Sequence, residues 1–136
     1  MITIFTDGGS RGNPGPAAIG GVVYDDIDRE IHAFKKCIGT ATNNEAEYGA
    51  IIEALDYAVQ YCQNNTVDKI LCKLDSKLVV EQMCGRYKIK QQHISDLVMK
   101  ARGLLNQIEP EVSFVHIPRE QNKRADELVN QALDAA

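Results

Sequence analysis

Thr6-Asp7-Gly8-Gly9-Ser10-Arg11-Gly12-Asn13-Pro14-Gly15-Pro16 directly follows the alternating apolar run Ile2 to Phe5. The run reads as a strand, and Asp7 is then expected at its C-terminal mouth. Four glycines and two prolines predict a compact turn next, because Gly admits positive φ and Pro fixes its own. Glycines also let another backbone come close, so Asp7 is expected beside a loop bare enough to admit a bulky ligand. A tight hairpin turn that happens to begin with Asp explains this stretch alone equally well. The choice depends on whether other carboxylates reach the same place.

Downstream, Ala17 to Asp25 and Arg29 to Gly39 read as strands joined by the short polar link Asp25-Asp26-Ile27-Asp28. With the first run they predict a three-stranded antiparallel meander. The period then changes. Ile51, Ala54, Leu55, Ala58, Val59 and Cys62 fall on one helical face. Thr42, Asn43 and Asn44 can cap this helix, and Asn64-Asn65 end it. Lys69 to Leu74 predicts a buried strand, and Ser76 the N-cap of a short helix through Met83 that Gly85 breaks. Ile94 to Ile108 predicts a further helix, Val112 to Ile117 a last strand, and Asn122 to Leu133 a final helix. The resulting fold class is α/β: a mixed five-stranded sheet, three antiparallel strands followed by two parallel ones, flanked by helices. In such sheets ligands sit at the carboxyl ends of the parallel strands.

A chain of 136 residues predicts a single domain with a real core. No apolar run reaches the roughly 18 residues needed to span a membrane, and the chain opens on a strand with no basic leader. A cytoplasmic protein with no membrane attachment and no obligatory protein partner is expected. The four cysteines, Cys37, Cys62, Cys72 and Cys84, form no CxxC pair and read as small core residues in a reducing compartment. The formal charge of −4 argues on its face against nucleic acid. Its distribution argues the other way, because Lys69 to Arg102 holds eight Lys or Arg against three acids.

Other acids do converge on the strand mouths. Glu47 lies four residues before Ile51, in line with the buried helix face, at a turn that overhangs the sheet edge. Its neighbours Glu45 and Glu53 lie off that line and read as solvated. Asp75 ends the fourth strand as Asp7 ends the first, and Asp126 lies at the margin of the last helix's apolar face. Each alone has an ordinary account: a helix-dipole acid, a cap, a surface charge. Together they are four inward or strand-end acids with no basic partner spaced to neutralise them. Divalent cations relieve such repulsion, and an all-oxygen donor set selects a hard ion such as Mg²⁺ or Mn²⁺. Two such ions form the clamp used for in-line phosphodiester displacement.

The blocks TDGGSRGNPGP, TNNEAEY, LDSKLVVEQ and NKRADELVN occur in the order and spacing of type 1 ribonucleases H, which the chain resembles over essentially its whole length. The resemblance implies a ribonuclease H-like fold and an endonuclease that cuts the RNA strand of RNA–DNA hybrids with two Mg²⁺ ions. It implies Asp7, Glu47, Asp75 and Asp126 as metal ligands, and Gly12, Asn13, Asn43, Asn44 and Ser76 as the lining of the hybrid groove. Short polar groups there can read the 2′-hydroxyl. Many bacterial members insert a basic, Trp-containing segment after the helix that follows the third acid. Here it is only Gly85 to Lys90 and the chain has no Trp, as in a compact branch seen in archaea and some bacteria. Hybrid affinity is then expected either to be weaker or to be carried by Arg86, Lys88 and Lys90. The auxiliary residue has two candidates: His116 by its count before the last Asp, and Arg119 as in the compact branch. Double-stranded RNA remains a further candidate substrate. A DNA-acting polynucleotidyl transferase and a metal-free hybrid-binding module are the rival readings. The Asn-rich groove weighs against the first and four intact acids against the second.

Overall fold

The computed structural model describes residues 1–136. Five strands and four helices follow in the order β1 (Ile2–Ser10), β2 (Gly15–Tyr24), β3 (Glu30–Ala41), α1 (Asn43–Asn64), β4 (Lys69–Leu74), α2 (Lys77–Met83), α3 (Gln92–Leu105), β5 (Glu111–His116) and α4 (Lys123–Asp134). They form one sheet in the order β3-β2-β1-β4-β5. β1 is central. It pairs antiparallel with β2, which pairs antiparallel with β3, and it pairs parallel with β4, which pairs parallel with β5. The expected meander and the two parallel additions are therefore present.

The periodicities place the layers. Ile2 and Ile4 of β1 point to the same side as Ile70, Cys72 and Leu74 of β4, where α1, α2 and α3 cover them with Ile51, Leu55, Val79, Val80, Ile94 and Val98. Tyr48, fully buried, donates its hydroxyl to Gln82 Oε1 at 2.7 Å, so the polar pair that links α1 to α2 is satisfied inside the core. α4 covers the opposite face over β2, where Ala18 meets Val129, Ala132 and Leu133. Gly20 permits that approach: a Cβ there would lie 2.8 Å from the Ala125 carbonyl and 2.9 Å from Leu128 Cβ.

Four local expectations are corrected. Asp7 does not end its strand, because β1 continues to Ser10 with Gly8, Gly9 and Ser10 paired to Ile19, Ala18 and Ala17. Only the pairing to β4 stops near Asp7, at Phe5–Lys73, so the mouth exists on the β4 side alone. Glu45 is not simply solvated: its side chain accepts the Thr42 N–H at 2.8 Å while Thr42 Oγ1 accepts the Glu45 N–H at 3.2 Å, closing a capping box. α3 starts at Gln92 and stops at Leu105, since Asn106 to Ile108 tighten into turn hydrogen bonds to Arg102, Leu104 and Leu105. Of the four cysteines only Cys72 is buried; Cys37 and Cys84 are exposed and Cys62 is intermediate.

Candidate active site

Asp7 and Asp75 meet because β1 and β4 are parallel neighbours. Asp7 follows the last β1–β4 pair by two residues, and Asp75 follows the end of β4 at Leu74. Glu47 arrives from the second turn of α1. It can do so because residue 8 is glycine: a Cβ on Gly8 would overlap the Ala46 and Glu47 backbone. One ligand oxygen from each of Asp7, Glu47 and Asp75 lies within 4.8 Å of the others. Asp7 and Glu47 are each only 7% exposed. Asp126, from the first turn of α4, lines the same cleft of about 480 Å³ with these three, Ser76 and Arg119.

Arg119 puts a cation in the cleft, 4.0 Å from Asp126 where no basic partner was expected, and the electrostatics of the other three acids are dominated by burial. Burial pushes the Asp7 carboxyl up to about 7, and the charge of Asp75 adds to it. Burial, then the Asp7 charge, drives Glu47 well above the ordinary carboxylate range. Asp75 is raised as well, mainly by burial, against the hydrogen bond from Asn122. Glu47 Oε2 is buried with no hydrogen-bond partner. A shared cation would satisfy that orphaned oxygen and remove the mutual repulsion. The donors are all carboxylate oxygens, so the site fits a hard divalent metal.

The remaining residues divide. Asn43 and Ser76 line the cleft. Ser76 also caps α2, its Oγ accepting the Val79 N–H at 3.3 Å. Gly12 and Asn13 are outside the lining and form the exposed turn that follows cleft-lining Arg11, where Asn13 takes φ 34°, a left-handed conformation that Asn tolerates. Asn44 faces a neighbouring groove of about 360 Å³ with Leu78, Gln82, Lys88 and Lys90. Arg86 is spoken for: its Nε and Nη2 donate to Glu81 at 2.6 and 2.9 Å. Arg119 Nη2 lies 4.0 Å from Asp126 Oδ1. His116 ends β5 opposite Leu74, exposed and outside the lining of the cleft.

Two residues to which the sequence assigns no site role are Arg11 and Asn122. Arg11 lines the cleft and donates from Nη2 to Asp134 at 2.7 Å and Asn130 at 3.4 Å, tying the turn to the C-terminal half of α4. Its register to residues more than a hundred positions away left no local signal. Asn122 is 1% exposed and donates to the Thr6 carbonyl and to Asp75. An Asn at a helix start reads as a cap, and nothing local shows that this one turns inward.

A family model described as "Reverse transcriptase-like" matches residues 5–132. A Mycobacterium tuberculosis protein named bifunctional protein Rv2228c is 45% identical over 99% of this chain, which spans 36% of that relative's length. Two solved structures superpose over 99% of this chain and 98% of theirs. One, LC11-RNase H1 in complex with RNA/DNA hybrid, is 43% identical with a TM-score of 0.94. The other, RNase H1 from the halophilic archaeon Halobacterium salinarum NRC-1, is 39% identical with a TM-score of 0.91. The mixed sheet, its helices and these matches agree: the chain belongs to the type 1 ribonuclease H family.

Proposed function

We propose that this chain is an endoribonuclease that hydrolyses the RNA strand of RNA–DNA hybrids with Mg²⁺, Mn²⁺ being able to substitute, and leaves 5′-phosphate and 3′-hydroxyl ends. The observation that carries this reading is the convergence of three carboxylates from β1, α1 and the end of β4, with ligand oxygens within 4.8 Å, in an open polar cleft. Two divalent cations, when bound, supply the Lewis acidity for in-line displacement at phosphorus. Asp7, Glu47 and Asp75 would hold them, together with Asp126 from the same cleft. Arg119 supplies positive charge at the cleft mouth, close to where a departing phosphate would lie. Asn43, Asn13 and Ser76 offer short polar groups suited to a 2′-hydroxyl, which distinguishes RNA from DNA. Lys88 and Lys90, beside Asn44, extend the surface with charge suited to backbone phosphates. The hybrid-bound relative supports the same substrate. No helix is long and apolar enough to cross a membrane, and a cytoplasmic location goes with this reading.

The test is a cleavage assay on strand-labelled hybrid, DNA duplex and RNA duplex, with Mg²⁺ and with chelator, for wild type and Asp75→Asn. Cleavage confined to the RNA strand of the hybrid, needing Mg²⁺ and abolished by Asp75→Asn, is expected. Comparable cutting of the DNA duplex would favour a transferase relative. Hybrid binding without any cutting would favour a binding module.

A further inference from the structure

Asn122 lies where four segments of the site meet. The β1–β4 ladder stops at Phe5–Lys73, and beyond it the Thr6 carbonyl takes its hydrogen bond from Asn122 Nδ2 at 2.8 Å. The same Nδ2 faces Asp75 Oδ2 at 3.4 Å. Both partners are acceptors, which identifies the NH₂ end of the amide and leaves Oδ1 buried and unpaired on the other side. The backbone of Asn122 is engaged as well. Its N–H donates to the Arg119 carbonyl at 2.9 Å, and its carbonyl accepts the Asp126 N–H at 3.1 Å. One residue thus bonds the strand that carries Asp7, the carboxylate of Asp75, the turn that carries Arg119 and the helical turn that carries Asp126.

We infer that Asn122 is a positioning residue that sets the site's affinity for divalent metal by fixing the Asp75 carboxylate relative to the end of the β1–β4 ladder. The inference rests on the reading of the acids as metal ligands. Two like-charged carboxylates on adjacent strand ends relieve their repulsion by rotating apart. A neutral donor behind Asp75 opposes that rotation, and it keeps the other carboxylate oxygen available to a metal. Residues that hydrogen-bond metal-binding carboxylates typically cost about 10- to 100-fold in metal affinity or activity when removed. Asn122 itself is not part of the cleft lining.

The experiment titrates wild type, Asn122→Ala and Asn122→Ser with Mg²⁺. It reads both the metal-induced rise in melting temperature and the rate of hybrid cleavage. In Asn122→Ala the half-saturating Mg²⁺ concentration should rise about 10- to 100-fold in both readouts. KM for hybrid at saturating Mg²⁺ should change little. Asn122→Ser, whose hydroxyl can still donate to one acceptor, should fall between the two. A lower melting temperature in chelator with an unmoved Mg²⁺ midpoint would make Asn122 purely structural and overturn the inference. If the Ala variant does not fold, the Ser variant against wild type decides by the same midpoint. A wild type whose melt and hybrid cleavage both ignore Mg²⁺ would remove the proposed function, and this inference with it. A wild type that responds while both variants titrate like it would remove the inference alone.

Discussion

Asn13 Oδ1 accepts the backbone N–H of Asn43 at 2.9 Å, and Asn43 Oδ1 accepts the backbone N–H of Ser10 at 2.8 Å. Each side chain therefore holds the segment that bears the other, joining the β1–β2 turn to the start of α1. Each carbonyl oxygen already accepts a backbone N–H, which orients the NH₂ groups as free donors, and these suit an acceptor such as a sugar or phosphate oxygen. Asn13→Ala and Asn43→Ala should each raise KM for hybrid by about tenfold, the scale of one lost hydrogen bond. Because each positions the other, the double variant should be little worse than the poorer single one. Steady-state kinetics on the three variants checks this; fully additive losses would mean that the two act independently.

A second expectation concerns pH. The Asp7 carboxyl is raised to about 7 in the folded protein, against about 3.9 in an unfolded chain. Between those values the folded state binds more protons, so metal-free stability should fall as pH rises from about 4 through about 7 and level off above. Glu47 and Asp75 are shifted the same way. Mg²⁺ should consequently raise the melting temperature more at pH 8 than at pH 5. Asp7→Asn should melt higher than wild type in chelator at pH 8, with that gap closing toward pH 4. Melts of both proteins across pH in chelator test this; a gap that is absent or widens toward acid would contradict the burial account.

Much of this site was legible from spacing. Asp75 and Asp7 could be placed at one end because a crossover makes their strands parallel, and Glu47 because its helical period is regular. What stayed hidden depends on partners distant in the chain. Gly8 to Ser10 look like a turn, yet β2 extends them as strand, since pairing with Ile19, Ala18 and Ala17 outweighs weak local preference. The inward turn of Asn122 and the reach of Arg11 to Asp134 are tertiary facts with no periodic trace. The Glu81–Arg86 pair spans the end of α2, a spacing that no helical rule anticipates.

That pair changes the expectation for phosphate binding. Affinity for hybrid should fall with salt, with a slope of roughly −3 to −4 in log K against log salt for some ~3–5 phosphate contacts. Lys88 and Lys90 flank a groove and make no ion pair, whereas the Arg86 charge is offset by Glu81. Neutralising Lys88 and Lys90 should each flatten the slope by about 1. Arg86→Ala should leave it nearly unchanged. Binding isotherms over a salt series distinguish these outcomes; a slope sensitive to Arg86 and indifferent to the lysines would place the hybrid's path elsewhere.

The auxiliary residue separates two chemistries. Arg119 follows Pro118 in a short turn before α4, lines the cleft and has Nη2 4.0 Å from Asp126 Oδ1. His116 is held at the end of β5, outside the lining, where its charge is felt at Asp75 only as the last of several influences. A guanidinium stays charged across the working pH range, whereas an imidazole titrates near neutrality. Arg119→Ala should therefore lower turnover by about 10- to 100-fold at saturating Mg²⁺, the scale of one lost electrostatic group. The shape of its pH–rate profile should be unchanged. His116→Ala should cost far less. Both side chains are exposed, so neither melt should move much, and a rate loss can be read as chemistry. If His116→Ala lost the larger share of rate and also lost an inflection near neutral pH, the auxiliary role would belong to the histidine and Arg119 would be a phosphate contact only.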